Sequence, residues 1–186
     1  MRRMLIGSVL VVSLLVGGCA TNAPKYNTDF DNVAKLRAAS LAPVRIGEIT
    51  KDPASKHDVN SITIRGGTLT SPYGSYTAYL REALEQEFTD ARLLDANSPI
   101  EISGVLLRNE VDAGISKGTA EVDARLVVKR SGSVAYDDVK TAQLDWDSNF
   151  VGAIAIPRAN ENYPKVLQKL LGEFCADPKF LAALKK

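Results

Sequence analysis

Hydrophobic and polar positions alternate most cleanly between Thr119 and Lys129. Ala120, Val122, Ala124, Leu126 and Val128 fall on one face, and Glu121, Asp123, Arg125 and Lys129 on the other. Period two with one wet face predicts a strand of an antiparallel sheet that is covered on a single side. Arg130-Ser131-Gly132-Ser133 has the composition of a hairpin turn. Val134 to Trp146 then returns as a partner strand with Ala142, Leu144 and Trp146 on one face. Its phase slips near Asp137-Asp138, which predicts a bulge there. Ile100, Ile102, Gly104 and Leu106 alternate with Glu101 and Ser103 in the same way. Residues 43–49 and the short run Ser61–Arg65, closed by Gly66-Gly67, supply two further strands.

Two segments change period. Tyr76, Leu80, Ala83, Leu84, Phe88 and Ala91 recur at three and four, which is one stripe of an amphipathic helix. Arg81, Glu82, Glu85 and Glu87 fall on its other side, and Ser71-Pro72 reads as its start. Ala159, Tyr163, Val166, Leu167, Leu170, Leu171 and Phe174 repeat the spacing. Pro164 interrupts them, so this helix starts near Tyr163 or carries a kink. Asp177-Pro178 opens a short terminal helix with Phe180, Leu181 and Leu184. Strands with one wet face and two striped helices fit together in one way. The expected fold is α+β: an antiparallel sheet of about five strands with two amphipathic helices on one face.

The first twenty residues obey a different logic. Arg2 and Arg3 precede an apolar run, Met4–Val16, that is too short to span a bilayer. A cationic start, a short apolar core and a small-residue exit are the layout of a secretory signal. The exit, Val16-Gly17-Gly18-Cys19, resembles the lipobox of bacterial lipoproteins. That resemblance implies cleavage between Gly18 and Cys19, and diacylglyceryl and acyl chains such as palmitate on Cys19. Each buried methylene contributes about 0.8 kcal/mol, so two or three chains hold firmly. Ala20 and Thr21 follow in place of the Asp that favours inner-membrane retention. By the same resemblance, in a Gram-negative host, the chain is an outer-membrane lipoprotein facing the periplasm. The expected division is a signal peptide over 1–18, a lipidated tether over 19–40 and a periplasmic domain over 41–186. A flexible tether of that length spans about 25 Å root-mean-square, although the run VAKLRAA could form a turn or two of helix and dock in part.

Charge adds mainly exclusions. The chain has 23 basic and 22 acidic residues. Losing Arg2 and Arg3 with the signal leaves 21 and 22, which gives no basic excess for nucleic acid. With Cys19 lipidated, Cys175 has no internal disulfide partner; it reads as a small buried hydrophobe, with a disulfide to another chain as the alternative. An activated thiol needs a base or cation beside it. The only histidine, His57, sits in a separate polar stretch. No zinc, phosphate-loop or nucleophile-elbow motif is present, so the chain is expected to have no catalytic residues, no metal and no cofactor.

Two stretches invite a partner. Trp146 lies between Asp145 and Asp147; it either faces the core or stands exposed as an anchor. Residues 150–157, FVGAIAIP, read as an apolar loop that packs across the sheet or stays sticky. Trp146, Ile154 and Ile156 are therefore the candidate partner surface.

The lipobox, YLREALEQEF over 79–88, the alternating strand pair and NYPKVLQKLLGEFCADPKF over 162–180 together resemble the YajG-type family of bacterial lipoproteins. More loosely they resemble the auxiliary lipoproteins of envelope ABC transport systems. The resemblance implies an α+β periplasmic domain, anchored by lipid, that works through binding. The expected role is a non-enzymatic adaptor or accessory in envelope assembly or transport, with an envelope protein as partner. The alternative is a carrier holding a lipid or cell-wall fragment between helices and sheet. Self-association is left open by the residues.

Overall fold

In the computed structural model, residues 20–55 and 57–186 are described. The cleanest alternation becomes the centre of the molecule. β6 (Lys117–Arg130) buries Ala120, Val122, Ala124, Leu126 and Val128. It pairs antiparallel with β5 (Ile100–Asp112) on one side and β7 (Ser133–Asp147) on the other. β2 (Arg45–Lys51) completes this sheet in the order β2-β5-β6-β7, and runs parallel to β5. The parallel pair has a simple cause. A helix returns the chain between β2 and β5, and such a crossover delivers strands in the same direction.

A second, three-stranded sheet has the order β1-β4-β3, built from β1 (Ala20–Asn22), β3 (Ile62–Ile64) and β4 (Gly67–Thr70). The class is α+β, as expected, but the strands form two mixed sheets instead of one antiparallel sheet of about five. β4 has almost no apolar signal in GTLT, and β1 exists only by pairing parallel to β4. The bulge in β7 also lies elsewhere than expected. Val128 opposes Tyr136 and Lys129 opposes Val134, so Ala135 is the extra residue, two places before Asp137.

The helices cover one face. α2 (Tyr76–Asp90) buries the whole predicted stripe, and Ser75 caps it by accepting from the Ala78 N–H at 3.0 Å. Ser71 instead holds the preceding turn, its hydroxyl donating to the Ser75 carbonyl at 2.7 Å. α3 (Gly152–Ala176) is longer than the sequence suggests and contains both Pro157 and Pro164. Each proline removes one helical hydrogen bond; the Asn162 amide donates to the Arg158 carbonyl at 2.9 Å near this break. α4 (Pro178–Ala183) is capped by Asp177. Between helices and sheet the layer is filled by edge-on aromatics. Tyr163 sits 5.0 Å from Tyr76 and 5.1 Å from Tyr79, ring centre to ring centre. Phe174, Phe180 and Tyr136 form a second cluster. This is the space that a carried ligand was expected to occupy.

The expected tether over 19–40 is the largest correction. Ala20–Asn22 is a strand, Ala23 and Tyr26 are buried, and α1 (Phe30–Ala38) packs Val33 and Leu36 into the core. Docking converges on Glu87, which sequence places on the wet side of α2 and the structure buries. Its Oε1 accepts from the Tyr26 hydroxyl at 2.6 Å and the Asp29 N–H at 3.1 Å. Asn32 reaches across to the Gln168 carbonyl at 2.9 Å. A Cβ on Gly172 would stand 3.0 Å from the Asn32 amide oxygen, so a small residue there admits α1. Cys19 and Gly18, the lipidation and cleavage residues, lie outside the described residues.

Candidate functional site

The molecule has two chemically distinct ends, separated along β6 by about 40 Å at a strand's rise per residue. At the first end, Arg65 occupies the turn between β3 and β4 with φ +48°, followed by Gly66 at +79°. A left-handed turn suits Gly or Asn and costs an ordinary side chain about 1 kcal/mol. Arg65 recovers this cost through its guanidinium, which donates to four carbonyls. Nε reaches Ala113 at 2.6 Å and Nη1 reaches Phe150 at 2.7 Å. Nη2 reaches Gly114 at 2.9 Å and Asn149 at 2.7 Å. The five N–H groups of a planar fork suit such an array, whereas a lysine could not reproduce it. Arg65 thus ties the β5–β6 loop to the β7–α3 loop. Ser148 adds a backbone bond to Ser116 at 2.9 Å, and the Asn149 side chain accepts from the Val151 N–H at 2.8 Å.

These two loops carry a cluster of exposed apolar side chains. Ile115 and Phe150 are each 75% exposed, Ile154 is 42% and Val151 is 37%. Among the described residues, the other large exposed apolar side chains, Phe30, Leu94, Val134 and Val139, are spread over α1, the α2–β5 link and β7. Ile154 and Ile156 belong to the first turns of α3, not to a loop as expected. Ile156 packs against the core and lines a narrow cleft with Thr21, Ile64, Gly67 and Thr68. Of the three candidate partner residues, only Ile154 is presented outward. Trp146 is half-buried against the core and its indole lies across Gly118, where a Cβ would collide with the ring. It is thus a packing residue, and Asp145 and Asp147 are its solvated neighbours.

At the second end, an open cleft of about 910 Å³ lies between the β6–β7 turn and α4. Arg130, Tyr136, Asp137, Lys179, Lys185 and Lys186 are among its lining residues. Its carboxylates are already engaged. Asp137 takes a bidentate pair from Arg125, and Asp138 accepts from Lys140 at 2.8 Å. Lys140 also bridges to Asp177 at 2.8 Å, and the Tyr136 hydroxyl donates to Asp177 at 2.9 Å. Lys140 first, with the Lys179 N–H and Tyr136 adding to it, holds the Asp177 carboxyl down at about 2. Among the described residues, Lys179, Lys185 and Lys186 enter no salt bridge. The cleft therefore presents surplus positive charge.

The residues weighed for catalysis are not brought together. His57 is exposed in the loop between β2 and β3. Cys175 is buried in α3, and burial first, then the Glu87 charge, pushes its thiol up to about 12. A thiol so protonated is a poor nucleophile. Among the described residues, no group of three His, Cys, Asp or Glu is placed to hold a metal ion, and no helix is long and apolar enough to cross a membrane.

No protein-family model matches the chain, and no curated protein matches it. Solved structures do. A Xanthomonas campestris protein of the DUF330 family aligns with TM-score 0.60 at 13% identity, over 88% of this chain and 96% of its own. A Caulobacter crescentus protein described as a proposed lipoprotein aligns at 13% identity over 82% and 96%, with TM-score 0.43. The first likeness shows a shared fold. It does not single out the YajG-type family.

Proposed function

We propose that this chain is a lipid-anchored protein of the outer membrane whose periplasm-facing domain acts without catalysis, as an adaptor that holds an envelope protein. The observation that supports it most is the polarity of the domain. The strand that follows Cys19 is built into one end, and an open cleft with surplus positive charge occupies the other. An anchored adaptor needs that arrangement, with attachment at one end and a free surface at the other.

The partner is an envelope protein with an acidic segment, since Lys179, Lys185 and Lys186 offer ammonium groups to an extended chain. The carrier reading draws no comparable support, because the layer between helices and sheet is filled by Tyr76, Tyr79, Tyr163 and Phe174. The test uses the intact lipoprotein, purified from its own cells in mild detergent. A stoichiometric envelope partner should co-purify, and Lys179→Glu with Lys185→Glu should release it while the melting temperature stays unchanged. Retention of the partner by the doubly reversed variant would defeat the cleft as its seat, and purification of the protein alone would defeat the adaptor role.

A further inference from the structure

The expected 25 Å spacer between lipid and domain does not exist in the fold. β1 begins at Ala20, the residue bonded to Cys19, and Ala20 pairs with Thr68. Consecutive Cα atoms are about 3.8 Å apart, so an acyl-bearing Cys19 stays within a few ångströms of this strand. β1 runs parallel to β4, which places Ala20 toward the Gly67 side, next to the Arg65-Gly66 turn. From that same turn Arg65 grips the loops that carry Ile115 and Phe150. The chain therefore enters at the end of the molecule where exposed apolar side chains cluster.

We infer that Ile115, Phe150, Val151 and Ile154 form a membrane-seating face, inserted into the interfacial layer of the same leaflet that holds the Cys19 lipid. The inference rests on lipidation of Cys19. The occupant follows from the length of the connection. One peptide unit cannot lift the domain clear of the head groups, so whatever this end touches first is lipid. Side chains at an interface settle about 5–10 Å into the head-group boundary. The loop tips suit that depth, being apolar at the point and rimmed by exposed Lys117 and Arg158, which reach lipid phosphates. Asp112 and Asp147 share the rim, and Arg158 is steadied by donating to the Asp147 carbonyl at 3.0 Å. The four carbonyls bound by Arg65 are thereby satisfied within the protein, which a loop entering a poorly hydrated layer requires. Arg65 acts here as a positioning residue.

The test places an environment-sensitive nitrobenzoxadiazole label on Ile115→Cys, and on Lys179→Cys as the far-end control. The full-length lipoprotein is reconstituted in phosphatidylethanolamine–phosphatidylglycerol vesicles. Intact mass is measured first, to read the acyl chains on Cys19 directly. Buried Cys175 stays unlabelled. The expected result is that nitroxide-labelled lipid quenches the label at position 115 and aqueous iodide does not, with the reverse at position 179. Adding Phe150→Asp and Ile154→Asp should restore iodide access at 115 without lowering the melting temperature. An acylated protein whose 115 label is open to iodide overturns the seating face and leaves the anchor standing. A 115 label shielded from both quenchers overturns it in favour of a protein covering. Absence of acyl mass on Cys19 overturns the anchor and the seating face together.

Discussion

The two ends of the four-stranded sheet are held together by opposite means. At the Arg65 end a single guanidinium organises two loops through backbone carbonyls, and the loop tips are apolar within a rim of exposed Lys117, Arg158, Asp112 and Asp147. At the Lys179 end the backbone is closed by a hairpin and a short helix, and the outward groups are ions. At the first end Arg65 and Arg158 are tied to backbone carbonyls, while at the second Lys179, Lys185 and Lys186 enter no salt bridge among the described residues. The contrast teaches that charge count alone, nearly balanced in this chain, hides a sharp difference in how charge is used.

The strongest way to break the contrast is Arg65→Ala. It removes four charge-assisted bonds that tie two loops together, so the expected loss is about 3 kcal/mol in denaturant unfolding. Hydrogen exchange should accelerate in residues 113–116 and 148–151 and remain unchanged around α4. Arg65→Lys should recover only a minor part, because an ammonium lacks the planar fork. Next in size is Gly118→Ala. The added methyl meets the indole of Trp146, and overpacking of this kind costs about 2 kcal/mol. Tryptophan emission should shift to the red as the ring is expelled.

The docked N-terminal segment separates the two ends further. Tyr26→Phe removes the donor to Glu87 in a buried site and should cost about 1–2 kcal/mol, read as lowered protection of α1. Burial raises the Glu87 carboxyl above its ordinary 4.5, against the lowering effect of Tyr26, Asp29 and Asn32. The folded state therefore holds that proton more tightly than the unfolded chain, and stability falls as pH rises from about 4.5 through the folded value. Glu87→Gln should remove this decline. The smallest effect lies at the cleft end. Asp177 is depressed from 3.8 to about 2, so its contribution is complete above 3.8 and lost as pH falls through 2. Asp177→Asn should flatten only that acid limb.

Much of the fold is legible in the sequence, because period two and period three-to-four report burial directly. The stripe of α2 and the alternation of β6 are fully buried as patterned. What escapes notice is whatever depends on distant partners. β1 and β4 have no internal signal; β4 forms by pairing with β3 across the Arg65-Gly66 turn, and β1 by pairing with β4. Glu87 reads as a wet-face residue because its burial is imposed by Tyr26 and Asn32, more than fifty positions away. Arg65 reads as the end of a strand, and nothing local announces that its fork closes loops some fifty and eighty-five residues on. Ile154 is visible as an apolar oddity, yet its place beside the chain's entry requires the three-stranded sheet. The local hint is Gly66-Gly67, whose composition closes the Ser61–Arg65 run with a turn.

The most direct measurement of the central claim compares both ends in one living cell. A photo-crosslinking residue is placed at Ile115 in one strain and at Lys179 in another, each in the otherwise intact chain. The account predicts lipid adducts and no protein adduct from position 115, and one defined protein adduct from position 179. A defined protein adduct at 115 with none at 179 would contradict it, because the apolar end would then be the adaptor surface and the charged cleft idle.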